Sequence, residues 1–265
     1  MRLPDRWRLA VGAVLLCLAG PGPAVYAADS FDHSAFDALL RANVTPDGLV
    51  DYDAFQAAPS FRTYLGGLYA AQPEKLEPAE RLAFWINVYN AYTIELINRH
   101  SERASIRNIN KTIGFSLGPW REELVRAGGR SYHLDNVEHD IVRKQFQEPR
   151  IHFALVCAAL GCPPLRAEAY TGARLEAQLE DQASRFLAQS PQKTRVDLAA
   201  RTLYVSPILG AWYRGDFGGD AASLGRFVAR YLPAGPARDL LLSGRFELRT
   251  SDYDWRLNLR PKGLH

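Results

Sequence analysis

The stretch at residues 78–100, PAERLAFWINVYNAYTIELINRH, decides how the rest of this chain is arranged. Pro78 suits the first turn of a helix, where its missing N–H costs nothing. Leu82, Trp85, Ile86, Tyr89, Thr93, Leu96 and Ile97 then follow helical spacing. Phe84, Val88, Ala91, Tyr92 and Ile94 put bulk on the other faces. A helix apolar nearly all round is a buried one, so the remaining elements are expected to wrap it. Asn87 and Asn90 break that pattern. A buried amide without partners costs about 1–3 kcal/mol, and residues three apart share one side of a helix. Tying loop carbonyls to the helix is the preferred reading of the pair; contact with a substrate is the other.

Working outward, residues 33–43 read as a first helix, stopped by the turn sequence Thr45-Pro46-Asp47-Gly48. A second helix is expected from Asp135 to about Phe146, with Asp135 and Glu138 as the two ends of a capping box. The short apolar run at 151–156 reads as a strand between Pro149 and Pro163-Pro164. A helix over 172–188, a hairpin pairing 196–198 with 203–205, short helices near 208–213 and 222–231, and a strand at 246–249 complete the chain. Asp216-Phe217-Gly218-Gly219 looks like a turn with Trp212-Tyr213 packed under it, and Tyr253-Asp254-Trp255 looks like core cover. The fold class expected is α+β: one domain over 28–265, mainly helical, with a small, mostly antiparallel sheet.

Composition narrows the function. The chain has 265 residues, is 47% hydrophobic and 23% charged, and carries a net charge of +3. Residues 1–27 have the features of a secretory leader: Arg2, Arg6 and Arg8, an apolar run from Leu9 to Ala19, and the small-residue pattern of Val25-Tyr26-Ala27. That run falls short of the roughly 20 residues a bilayer span needs. Loss of this segment removes three Arg and Asp5 and leaves a net charge of +1. Nucleic-acid binding is not expected of so balanced a chain, nor is a membrane span in the mature part. The expected location is periplasmic or secreted.

Chemistry concentrates in residues 133–164, which hold His133, Glu138, His139, Arg143, Arg150, His152, Cys157 and Cys162. A thiol nucleophile needs a base, and the base needs an orienting group. In an unbroken strand His152 and Cys157 point to opposite faces, which makes His139 the preferred base. On an ideal helix Glu138 and His139 lie about 100° apart and cannot face one point. Three readings of the cysteines stay open: a structural disulfide in an oxidising compartment, a reactive thiol, and a zinc site, for which the ligand spacing is poor. A C-x-x-C redox pair is absent. So are phosphate-binding, GxSxG and HExxH motifs.

Four blocks then identify the chain with a family: Phe84-Trp85-Ile86-Asn87-Val88-Tyr89-Asn90-Ala91, Asp135-Asn136-Val137-Glu138-His139, His152-Phe153-Ala154-Leu155 with Cys157 and Cys162-Pro163, and Tyr253-Asp254-Trp255. In this order they resemble domain-of-unknown-function family 547. Val156 and Gly161 stand where that family often has Asn and Ser, and Arg256 where a smaller residue is expected. The resemblance implies that the Asn pair, the Glu-His pair and the two cysteines belong to one pattern. It carries no activity.

The function expected from these observations is an exported cysteine-dependent hydrolase or acyl transferase of the cell envelope, a papain- or transglutaminase-like design by analogy. Cys157 is the nucleophile, with Cys162 second. His139 is the base and His152 its alternate; Asn87 or Asn90 is the orienting or oxyanion-side amide, and Glu138 is a further catalytic candidate. Arg143 and Arg150 bind a substrate carboxylate. A small-molecule or peptide substrate is implied, with no cofactor and no metal. The rival is a non-catalytic binding or scaffold module in which Cys157 and Cys162 are a structural disulfide.

Overall fold

The structure is a computed structural model that describes residues 30–111 and 118–263. The expected leader at 1–27 lies outside the described residues. Of the first three helices, α2 (Tyr52–Ala57) and α3 (Pro59–Ala70) pack against α4 (Pro78–Arg99), which is buried along almost its whole length, and α1 (Ser34–Asn43) packs on α2 and α3. The turn after α1 forms as its sequence predicts, with the Gly48 N–H donating to the Thr45 carbonyl at 2.9 Å. Gly48 sits at φ +82°, and a Cβ there would lie 2.5 Å from the Pro164–Leu165 backbone, so no other residue fits. A hairpin of β1 (Val125–Ala127) and β2 (Arg130–Tyr132) covers another side of α4, turning on Gly128-Gly129, both at positive φ.

The second half supplies α5 (Arg143–Phe146), α6 (Leu175–Leu187), α7 (Ala221–Ala229) and α8 (Pro236–Ser243). Its sheet joins β3 (Thr194–Asp197) and β4 (Thr202–Val205) antiparallel, and β5 (Glu247–Thr250) parallel to β4. The α+β class, the dominance of helix and the small sheet hold. One core surrounds α4, a second lies between α6, α7 and the sheet, and the ring of Tyr253 packs against both. No helix among the described residues is long and apolar enough to cross a membrane.

Two sequence expectations fail, each for a local reason. Residues 151–156 are not a strand. Pro149–Phe153 is a 3-10 turn, started by Glu148, whose carboxylate accepts from the Arg150 N–H at 2.9 Å. An apolar run is buried in either conformation, and periodicity cannot separate them. The capping box at Asp135 does not form either. Asp135 is itself helical, at φ −55° and ψ −40°, whereas a capping residue needs extended backbone. It pairs instead with Arg121 at 3.1 Å. Residues Asn136–Val142 form a π-helix rather than an α-helix, a widened turn that recurs at functional sites. A second π-turn spans Ile208–Trp212.

His33, ahead of α1, gives the fold a pH dependence. It is 4% exposed, and its Nδ1 lies 2.7 Å from the Tyr64 hydroxyl. Burial holds its pKa down to about 4, well below the ordinary value of about 6.5. The unfolded chain therefore binds the proton first, and stability falls as pH drops from about 6.5 to about 4. The expected loss reaches at most about 3 kcal/mol. Denaturant melts of wild type and His33→Phe across that window check this: the variant is expected to lose less stability on acidification, and parallel curves would refute it.

Candidate functional site: a disulfide-walled aromatic cleft

Asn87 and Asn90 fix the floor of the site from α4. Asn90 donates to the Ala154 carbonyl and accepts from the Val156 N–H, both at 2.9 Å. Asn87 makes the same pair of bonds to the backbone of Tyr170, at 2.8 and 2.9 Å. Each amide satisfies one carbonyl and one N–H of a loop, as a neighbouring strand would. Neither lines the cleft. The bonds of Asn90 hold the segment leading into Cys157 against the central helix, and those of Asn87 hold the segment at Tyr170.

Cys157 and Cys162 form a disulfide with Cα atoms 6.2 Å apart. The loop between them is also stitched by backbone bonds. Leu160 donates to the Arg256 carbonyl and Gly161 to the Asp254 carbonyl, each at 2.8 Å, and Asn258 donates to the Ala158 carbonyl at 3.2 Å. Ala158 sits at φ +60°, a strained setting for alanine. The Tyr253 hydroxyl lies 3.1 Å from each sulfur. Closing so short a loop contributes about 2 kcal/mol by chain entropy, and the stitching preserves the loop without it. A Cys157→Ser, Cys162→Ser double variant is accordingly expected to lose about 2 kcal/mol or less in denaturant unfolding; a collapse of the fold would show the bond to be a structural staple.

The disulfide forms one wall of a cleft of about 510 Å³. Tyr89, Glu138, His139, His152 and Tyr253 surround it, and Trp120, Trp212 and Trp255 stand among its walls. The three indoles form a chain, with centroids 6.1 Å apart for Trp120–Trp255 and 5.7 Å for Trp212–Trp255. Glu138 and His139 both reach this space although adjacent in sequence. The π-turn overturns the helical-wheel expectation, because its wider turn puts a smaller angle between neighbours. Trp212 enters from the second π-turn.

The parity argument that separated His152 from Cys157 falls with the strand. His152 is buried, stacks on Tyr213 at 4.0 Å, and places Nε2 2.7 Å from Asp216 Oδ2. Asp216 also takes a two-pronged bond from Arg143, at 2.7 and 2.8 Å. Arg143 holds the Asp216 carboxyl down to about pH 2. With Asp216 ionised, His152 donates from Nε2 and keeps its lone pair on Nδ1. Burial lowers the His152 pKa, with Asp216 opposing, so the ring is a neutral base at pH 7. His139 carries its proton on the same nitrogen but is held through the other one. Arg143 donates to its Nδ1 at 3.1 Å, and since a guanidinium cannot accept, Nδ1 must be the acceptor and Nε2 carries the proton.

Both arginines expected at the substrate are occupied elsewhere. Arg143 holds Asp216, and Arg150 is bound to Glu148, Glu176 and Glu180, at 2.7, 2.7 and 3.1 Å. The arginine that lines the cleft is Arg107, its guanidinium 5.1 Å from the Trp255 centroid. Asp216 went unread as the orienting group because it looks like an ordinary turn residue. Tyr253 and Trp255 do pack against the core as expected, and with Trp212 they also wall the cleft. On the far side of the disulfide loop a second cavity, of about 500 Å³, is also walled by Tyr253 and holds Lys193, which donates to the Cys162 carbonyl. His133 is bound to the Arg121 carbonyl, and no cluster of three or more metal-ligand side chains occurs among the described residues.

Comparison with curated proteins and with solved structures returned no match. The matched family spans α4, the π-turn bearing Glu138 and His139, both cysteines and α6, while Asp216, Trp212 and Tyr253 lie beyond the match. Residues 73–187 of this chain match the model of DUF547, a protein family of unknown function.

Proposed function

We propose that the protein is an exported, cysteine-dependent hydrolase or acyl transferase whose Cys157–Cys162 disulfide is a resting, oxidised form. The supporting observation is one cleft that gathers both sulfurs, a neutral His152 oriented by ionised Asp216, and a second imidazole whose Nδ1 is taken by Arg143. A dithiol reductant supplies two electrons and two protons, freeing both thiols and becoming a disulfide itself. His152 Nδ1 then takes the Cys157 proton, and the thiolate adds to an acyl carbon. In this reading His139 Nε2–H donates to the oxyanion. The proton on His152 passes to the leaving group as a thioester forms, and water or an amine completes the transfer. Cys162, 2% exposed, is the locking partner, while the more open Cys157 is the reactive one. The leader-like residues 1–27 support export to the periplasm or beyond.

The disulfide itself favours a second reading, a non-catalytic envelope binding module, because it consumes both thiols. Intact mass after alkylation, with and without prior reduction and over a pH series, separates the two. The enzyme reading expects no alkylation before reduction. After it, one thiol should alkylate fast, with an apparent pKa well below about 8.5. Two ordinary, slow thiols after reduction would leave only the binding module.

A further inference from the structure

A buried carboxylate faces the cleft without a counter-ion. Glu138 is 7% exposed, and among the described residues no arginine, lysine or histidine lies within salt-bridge distance of it. Arg143 feels its charge but is committed to Asp216. The phenols of Tyr89 and Tyr213 meet the carboxylate, and burial together with that charge pushes both phenols well up. Two phenols fill about half of the roughly four lone-pair positions a carboxylate offers. Keeping a charge out of water without a cation is costly, so the remaining acceptor capacity is available to a positive ligand group. The walls suit the same group, since Trp120, Trp212, Tyr213, Tyr253 and Trp255 line the space and indole and phenol faces attract cations. Arg107 at Trp255 already brings one positive charge to the cleft, which disfavours a ligand carrying two.

We propose that this cleft binds a monocationic alkylammonium group, with Glu138 as counter-ion and the aromatic side chains as walls. The site stands on Glu138 and the aromatic walls and needs no free thiol, so it goes beyond the acyl-transfer reading and survives if that reading fails. It places a positively charged amine on whatever molecule the cleft receives.

The test uses the full chain in its disulfide form at pH 7, with the cleft tryptophans as fluorescence reporters and calorimetry as the second measurement. Pentylamine, 1-pentanol and pentanoate share a chain and differ in head group. Pentylammonium is expected to bind tenfold or more tightly than the alcohol, with pentanoate weakest. Glu138→Gln is expected to abolish the preference for amine over alcohol. Trp212→Ala changes a side chain that is 46% exposed and leaves the fold intact, so it tests the walls even if Glu138→Gln does not fold. It is expected to weaken pentylammonium binding threefold or more. Equal binding of amine and alcohol, no saturable binding of the amine, selectivity that persists in Glu138→Gln, or unchanged affinity in Trp212→Ala would each overturn the proposal. Because every measurement is made on the oxidised protein, these outcomes are independent of thiol reactivity.

Discussion

An Asn90→Ala chain is expected to lose about 3–5 kcal/mol of stability, a large share of the roughly 5–15 kcal/mol typical of a domain. The substitution deletes one donor and one acceptor that face the Ala154 carbonyl and the Val156 N–H. Asn90 is 3% exposed, so water cannot replace either bond. Each orphaned backbone group costs about 1–3 kcal/mol, and the lost side-chain volume adds a small cavity. Asn87→Ala is the control, since it orphans the corresponding pair at Tyr170. Urea unfolding reads both; a loss under about 1 kcal/mol in either would show that those bonds are not what holds the loops. The same experiment separates the two readings the sequence left open for these amides, because a substrate contact would leave stability largely unchanged.

His152→Gln in the reduced protein is expected to slow Cys157 alkylation at pH 7 tenfold or more and to move the apparent thiol pKa toward about 8.5. Glutamine can still reach Asp216, so packing is kept while the base is removed. The pH profile carries a sign. Burial holds the imidazole pKa below its ordinary range, so the neutral base persists as the solution becomes mildly acidic. Wild-type reactivity is therefore expected to survive to lower pH than an ordinary imidazole of pKa about 6.5 would allow. His139→Gln is expected to leave the thiol pKa in place, because its protonated Nε2 is a donor and its Nδ1 is occupied by Arg143. Equal profiles for wild type and His152→Gln would remove His152 from the proposed mechanism.

Much of the fold was legible because α4 is. A helix apolar on every face admits one environment, and Pro78 marks its start. The amphipathic α6 and the hairpin of β3 and β4 carry similarly clear periods. Helices α2 and α3, the β1–β2 hairpin and α8 went unread, being short segments whose conformation is set by packing against their neighbours. The site was legible in its inventory and not in its geometry. The four residues His139, His152, Cys157 and Cys162 do share one cleft. What pattern reasoning could not supply was local irregularity: a 3-10 turn where five apolar residues and a histidine look like a strand, and a π-turn where Glu138 and His139 look divergent. Asp216 escaped for a different reason. It is far from His152 in sequence, and the partner it needs is visible only once the chain is folded.

The ring of Tyr253 stands between two chambers, one at the tryptophans and one at Lys193, with the sulfurs under its hydroxyl. It is a party wall. A guest in either chamber would meet the ring whose hydroxyl touches both sulfurs.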